Sequence, residues 1–213
     1  MKISFRYMKE KDIWCLLNKG KNSNNSSNPT KQYQALVNIY GENPSAESAS
    51  SFIDNYFVEN NIDIQKYISN YQEDWDTIAD EYHKRAETIF KLKLPVDVTA
   101  FLTINSRFPY NVVENFFFVQ VPASSILKTI MHELWHFYTW YVFGIDQTKK
   151  LGAQKYNDLK EALTVLLNVE YKDLLPEGVV DTGYPQHKEL RDKILSIWQS
   201  EKDILKLWNK ISN

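Results

Sequence analysis

The chain has a single cysteine, Cys15, among its 213 residues. One cysteine cannot form an internal disulfide, and it cannot build a structural zinc site that needs several cysteine ligands. This cysteine usage fits a reducing compartment, where thiols stay unpaired.

An excess of charge of one sign is also lacking, because the formal net charge is −2 and the isoelectric point lies near pH 6.1. No long basic block occurs, so we expect no nucleic-acid partner. Residues 1–7 carry charge early and lead into no apolar run, which predicts a cytoplasmic protein without a signal peptide. The apolar stretch at 126–143 approaches the length of a membrane span, but ionisable side chains interrupt it and we expect no membrane partner.

The same stretch contains the pattern H-E-x-x-H, from His132 to His136. On a helix, positions i and i+4 lie on one face, so two neutral imidazoles can reach one metal ion while Glu133 reaches a water on it. The surrounding helix is apolar almost all the way round, which predicts burial, and buried histidines and carboxylates need partners or a metal. The alternative is a chance match, with both histidines satisfied in the core and Glu133 solvated.

A catalytic zinc usually takes three protein ligands and leaves one position for water. Glu161 is the first candidate for the third ligand, because it lies in a second apolar helix, predicted at 158–171, with 24 residues between it and His136. Asp146, soon after the motif helix, is the second candidate. Other competing donors are Glu170, Asp173 and His187. The alternative for Glu161 is a solvated residue in the first turn of its helix.

The sequence resembles the gluzincin zinc metallopeptidases, especially small single-domain members, in three features. These are H-E-x-x-H, a helical glutamate a few tens of residues downstream and a strand-rich segment just upstream. The resemblance covers residues 62–171. It implies that His132, His136 and Glu161 bind Zn²⁺, that Glu133 is the general base, and that the substrate is a peptide or protein.

The resemblance also implies a substrate strand and a donor to the oxyanion of the reaction. An extended peptide would add to the strand at 116–121 through main-chain hydrogen bonds, which makes Phe118, Val119 and Gln120 the predicted substrate-binding residues. Tyr184 or His187 would stabilise the oxyanion. Their alternative roles are structural, with the tyrosine packed in a turn and the histidine in the first turn of a surface helix.

The chain departs from the gluzincin pattern on either side of the glutamate. Many members place Asn before it and Asp four residues after it, whereas this chain has Lys160 and Val165. The carboxylate that usually supports a zinc ligand is therefore missing or supplied elsewhere.

The expected fold class is α+β, a predominantly helical zincin-like domain with a small mixed or antiparallel sheet. We expect residues 1–61 to form a helical segment with a flexible loop at 20–30, and residues 62–213 to form the zincin-like domain. The predicted elements are helices at 8–18, 31–40, 46–59 and 62–92, strands at 96–104 and 116–121, the motif helix, the helix at 158–171 and two C-terminal helices. Pro95 should end the helix at 62–92, and Gly144 should end the motif helix.

Two other functions are compatible with the sequence. One is a non-enzymatic module in which a helix binds a partner and the motif is structural or decayed. The other is a latent peptidase whose cleft is covered by its own N-terminal or C-terminal helices.

Overall fold

A computed structural model describes residues 1–21 and 28–213. The chain divides into two compact units, each built from two stretches of sequence. The first comprises Met1–Asp74 and Val96–Ile126, and the second comprises Trp75–Pro95 and Leu127–Asn213. This division does not coincide with the predicted boundary after residue 61. The mixed α+β class is confirmed, and residues 22–27 of the predicted flexible loop lie outside the described residues.

The first unit contains a four-stranded sheet in the order β1-β2-β4-β3. Its strands are β1 (Ile3–Arg6), β2 (Val98–Thr103), β3 (Tyr110–Asn111) and β4 (Phe116–Gln120). β1, β2 and β4 run parallel, while β3 pairs antiparallel with β4. The sequence predicted β2 and β4, but β1 and β3 are too short to produce a recognisable alternation of apolar and polar residues.

β4 lies inside this sheet, between β2 and β3. Tyr110 pairs with Phe117, and the Phe118 amide donates to the Pro109 carbonyl at 3.0 Å. The Phe118 side chain is buried in an apolar cluster with Cys15, Phe101 and Phe116. Over residues 116–118, the side of β4 on which a peptide could add is therefore already occupied by residues 109–111. The roles of Phe118, Val119 and Gln120 in substrate binding stay predictions.

In the described part of the first unit, four helices accompany the sheet: α1 (Lys9–Lys19), α2 (Lys31–Tyr40), α3 (Ala46–Glu59) and α4 (Ile64–Asp76). The last two residues of α4 belong to the second unit. The predicted bounds of the first three agree with the structure to within one residue. Thr30 and Ser45 cap α2 and α3 by accepting hydrogen bonds from the amides of Tyr33 and Ser48. Side-chain oxygens at these positions satisfy amides that have no partner inside the helix.

The single helix predicted at 62–92 is two helices, α4 and α5 (Ala79–Phe90). The Ile78 amide donates to the Trp75 carbonyl, which closes a turn between them. Periodicity could not show this break, because Trp75 and Tyr82 keep helical spacing and their rings contact each other at 5.4 Å. α5 ends at Lys91, which has a left-handed backbone with φ 54°. The prediction that Pro95 ends the helix is therefore wrong.

The second unit is built from α5 and the helices that follow the sheet. These are α6 (Ile126–Thr139), a π-helical turn (Trp140–Gly144), α7 (Ile145–Leu151), α8 (Ala153–Leu163), α9 (Leu167–Glu170), α10 (Lys188–Ser200) and α11 (Ile204–Ser212). Short 3₁₀ turns precede α9 and α10. The two predicted C-terminal helices are confirmed. In the parts of the chain that the structure describes, no helix has both the length and the apolar character needed to cross a bilayer.

Gly144 does not end the motif helix, contrary to prediction. Its φ is −54°, and the chain continues through the π turn into α7. A Cβ on Gly144 would overlap the Trp140 ring, so glycine is present because the indole packs directly on the backbone. The chain leaves the helix at Gly152, whose φ of +80° suits glycine.

The glutamate helix begins at Ala153 rather than at residue 158, and it ends at Leu163. Glu161 is therefore in the last turn of α8 and not in the first turn. The interpretation of Glu161 as a solvated first-turn residue is wrong, because its side chain is also buried.

Candidate metal centre

Three predicted ligands converge in the second unit. α6 places His132 and His136 one turn apart, with ring centroids separated by 4.5 Å. From α8, Glu161 Oε2 lies 3.6 Å from His132 Nε2, and Glu161 Oε1 lies 3.4 Å from His136 Nε2. One ligand atom from each residue lies within 4.8 Å of the other two. Within residues 1–21 and 28–213, no other group of His, Cys, Asp or Glu side chains has this spacing.

The geometry of the cluster fits a divalent cation better than direct hydrogen bonds. The separations of 3.4 and 3.6 Å exceed the usual N–H···O distance of about 2.7–3.2 Å. Two atoms that each lie about 2.0–2.1 Å from a tetrahedral zinc ion are about 3.4 Å apart. Two imidazoles and one carboxylate also form a typical donor set of a catalytic zinc site, which leaves one position for solvent or substrate.

Glu133 is buried beside the cluster, with 5% of its surface exposed. Among the described residues, no donor lies within hydrogen-bonding distance of its Oε2 atom. Burial raises the pKa of Glu133 to about 7 in the metal-free protein, although the charge of His132 acts in the opposite direction. A carboxyl group with this pKa can both accept and release a proton near neutral pH.

Asp181 contacts the candidate site, and the sequence analysis did not identify it. Its Oδ2 atom lies 2.6 Å from His132 Nδ1. Because a carboxylate only accepts, Nδ1 donates to it, and Nε2 holds the lone pair that a cation requires once the imidazole has lost its second proton. Asp181 therefore supplies the supporting carboxylate that is absent at Val165. It lies in the irregular segment between α9 and α10, 49 residues from His132 along the chain, so no periodic pattern could reveal it.

Several hydrogen bonds fix Asp181. Arg191 donates to its carboxylate at 3.0 Å and to its carbonyl at 2.6 Å. Thr164 donates to the same carboxylate oxygen at 2.9 Å, and Asn168 bonds with the Asp181 main chain through both its amide atoms. Gly183 has a φ of +62°, and a Cβ there would overlap the Arg191 guanidinium. Glycine at this position therefore lets the guanidinium approach the main chain.

The two histidines have different charge states in the metal-free protein. Burial lowers the pKa of His136 to about 3. Burial also acts to lower the pKa of His132, but the hydrogen bond to Asp181 and the nearby Glu161 carboxylate outweigh it and raise this pKa to about 10. Although burial opposes them, the imidazoles and Lys160 hold the pKa of Glu161 well below its usual range. Binding a cation at neutral pH therefore requires His132 to release a proton.

Lys160 turns inward, beside the ligand that follows it in sequence. Only 2% of its surface is exposed, and its Nζ atom lies 2.6 Å from Glu161 Oε1. The residue that departs from the gluzincin pattern is thus in direct contact with a predicted ligand.

The predicted oxyanion donors lie next to each other, on the 3₁₀ turn before α10 and at the residue that precedes it. His187 is buried and donates from Nε2 to Asp158 at 3.2 Å, while Tyr184 is 38% exposed and contacts the His187 ring. Within the described residues, these contacts do not include the three predicted ligands. The catalytic roles of Tyr184 and His187 stay predictions.

The other candidate ligands lie apart from the cluster. Asp146 is exposed in the first turn of α7. Glu170 accepts hydrogen bonds from Trp198 and Lys202, and Asp173 pairs with Arg85. Glu161 is therefore the only one of the proposed third ligands that the described structure brings to both histidines.

Comparison of the chain with protein-family models, with curated protein sequences and with solved structures finds no match. The resemblance to gluzincins therefore depends on the residues of this chain alone.

Proposed function

We propose that the chain is a zinc-dependent hydrolase that cleaves peptide bonds. The observation that supports this most strongly is the convergence of His132, His136 and Glu161 beside the buried carboxyl group of Glu133. Ligands alone would suit a structural metal site. A carboxyl group with an unsatisfied oxygen next to three ligands is what hydrolysis requires in addition.

The ligands and their supports have separate tasks. The Nε2 atoms of both histidines and the Glu161 carboxylate would hold the zinc ion, and Asp181 keeps the His132 proton on Nδ1. When bound, zinc acts as a Lewis acid that polarises the substrate carbonyl and acidifies water. Tyr184 and His187 are the candidate donors to the oxyanion.

Glu133 carries the proton transfer. It accepts a proton from the attacking water and delivers it to the nitrogen of the leaving amine. Its burial favours this role, because a carboxylate with little solvation is a stronger base. Peptide bonds are the proposed substrate because amide cleavage needs this protonation of the leaving group.

The test is Glu133→Gln, which keeps the size of the side chain but removes its basicity. We expect the variant to bind one zinc ion per chain, measured by elemental analysis, and to lose cleavage of a peptide library. Glu177→Gln is the matched control, because Glu177 is an exposed glutamate of the same unit. Full activity in the Glu133 variant would show that another group is the base.

The burial of the site favours a second candidate function, that of a latent peptidase. His136 and Glu161 are only 1% and 7% exposed, which leaves little room for a polypeptide. Such a protein would bind zinc but cleave peptides only after trimming. Limited proteolysis followed by the peptide assay distinguishes the two, since a latent enzyme gains activity and an open one does not.

A further inference from the structure

The last turn of α8 is enclosed on all sides. Every residue from 159 to 163 is buried, including Lys160. An ammonium group in such a place costs several kcal/mol unless a partner compensates it. Leu159 and Ala162 show that apolar residues fit this turn, so packing alone does not require a lysine at position 160.

The carboxylate of a predicted metal ligand, Glu161, compensates the charge of Lys160. Its Nζ atom lies 2.6 Å from Glu161 Oε1, well within the range of a strong charge-assisted hydrogen bond. Adjacent residues on a helix point about 100° apart, so the lysine side chain must fold back towards its neighbour. The contact therefore reflects a specific conformation of both side chains.

The two carboxylate oxygens of Glu161 have different surroundings. Oε1 accepts from Lys160 and lies 3.4 Å from His136 Nε2, whereas Oε2 lies 3.6 Å from His132 Nε2. A carboxylate with no donor on either oxygen can bind a cation through both of them. A short bond from an ammonium group to one oxygen weakens that oxygen as a ligand and fixes the plane of the carboxylate.

We propose that Lys160 is a positioning residue, whose bond to Glu161 Oε1 fixes the carboxylate so that Glu161 binds the metal ion through a single oxygen and one coordination position stays open. This inference depends on the proposed zinc site but adds a residue to it. It also explains how a lysine can replace the usual neighbour of the glutamate ligand.

The test uses Co²⁺ as a spectroscopic substitute for zinc, together with zinc affinity measured against a chromophoric chelator. Four-coordinate Co²⁺ absorbs visible light far more strongly than five- or six-coordinate Co²⁺. We expect strong bands in the unaltered protein and weaker bands in Lys160→Met, because Glu161 then binds through both oxygens. Zinc affinity should fall about 10–100-fold, as is typical when a group that orients a ligand is removed.

Two further variants separate positioning from general charge effects. Lys160→Arg keeps a charged donor and should restore most of the zinc affinity and the strong bands. Lys155→Met removes an exposed lysine of the same helix, whose Nζ atom donates to the Ser212 carbonyl and to no predicted ligand, and should leave both measurements unchanged.

Each result decides the question. Equal affinity and identical Co²⁺ spectra in Lys160→Met would overturn the role of Lys160 while leaving the zinc site intact. If Lys160→Met does not fold, the other two proteins still decide. Weak Co²⁺ bands in the unaltered protein would overturn the role of Lys160. Strong bands in Lys160→Arg, with a zinc affinity close to that of the unaltered protein, would support it. Failure of the unaltered protein to bind either metal would overturn the proposed function as well.

Discussion

Replacing Asp181 by Asn tests how the metal centre is organised. The Asp181 carboxylate accepts from His132 through Oδ2, and from Thr164 and Arg191 through Oδ1. An asparagine whose oxygen keeps the last two donors turns its NH₂ group towards His132. Two donors then face each other, and His132 must move its proton to Nε2. A protonated Nε2 has no lone pair for a cation.

The size of the effect follows from the two tasks of Asp181. Loss of a group that orients a metal-binding histidine typically costs about 10–100-fold in metal affinity, or about 1.4–2.7 kcal/mol. The stability of the metal-free protein should fall further, because Asp181 and Arg191 form a buried ion pair at 3.0 Å. Removing one charge of a buried pair costs about 3–5 kcal/mol.

The assay is competition for zinc against a chromophoric chelator at neutral pH, with urea unfolding of the metal-free protein measured in parallel. Asp173→Asn is the matched control, since it breaks an exposed pair with Arg85 in the same unit. We expect the control to bind zinc normally. Unchanged zinc affinity in Asp181→Asn would refute the argument that Asp181 sets the His132 tautomer.

The approach of His132 and His136 to one point could be predicted from the sequence because their pattern is local. Two histidines at i and i+4 share a helix face whatever the rest of the fold does. The apolar neighbours of Glu161 correctly placed it in a buried helix, although the start of that helix was predicted five residues too late. The missed segment, residues 153–157, is polar and has only Tyr156 buried, so it gives no apolar stripe.

Asp181 and Lys160 could not be assigned in this way. Asp181 acts through contacts with residues of α6, α10 and the turn before α9, all distant along the chain. Lys160 departs from the gluzincin pattern, but the direction of its side chain depends on how completely the last turn of α8 is enclosed. Both sets of contacts depend on packing, which a single sequence encodes without a local signal.

Glycine was misread for the same reason. A glycine after an apolar helix usually marks its end, and Gly144 was interpreted accordingly. Its actual role is to let the Trp140 ring lie against the backbone. This role depends on a side-chain conformation, whereas the helix stop at Gly152 depends on backbone geometry alone.

Two further predictions concern stability. Gly144→Ala should destabilise the protein by about 1–3 kcal/mol because the new methyl group overlaps Trp140. At an ordinary helix position this change stabilises by about 1 kcal/mol. A higher stability of the variant in urea unfolding would therefore contradict the packing argument. Asp12→Asn should make the stability of the protein less dependent on pH. Asp12 is fully buried and accepts hydrogen bonds from Thr103 and the Ile104 amide. Burial raises its pKa from 3.8 to about 7, although these hydrogen bonds act to lower it. The folded protein therefore binds the proton more tightly than the unfolded chain, so its contribution to stability is complete below about pH 4 and is lost as the pH rises to about 7. A shift of about three pKa units corresponds to about 4 kcal/mol. Relative to the unaltered protein, Asp12→Asn should gain about 3 kcal/mol in free energy of unfolding between pH 4.5 and pH 8, since about 1 kcal/mol of the total is already lost at pH 4.5. The gain has this sign because asparagine keeps an acceptor for Thr103 but never ionises. Parallel curves of stability against pH for the two proteins would show that Asp12 is not the group that titrates.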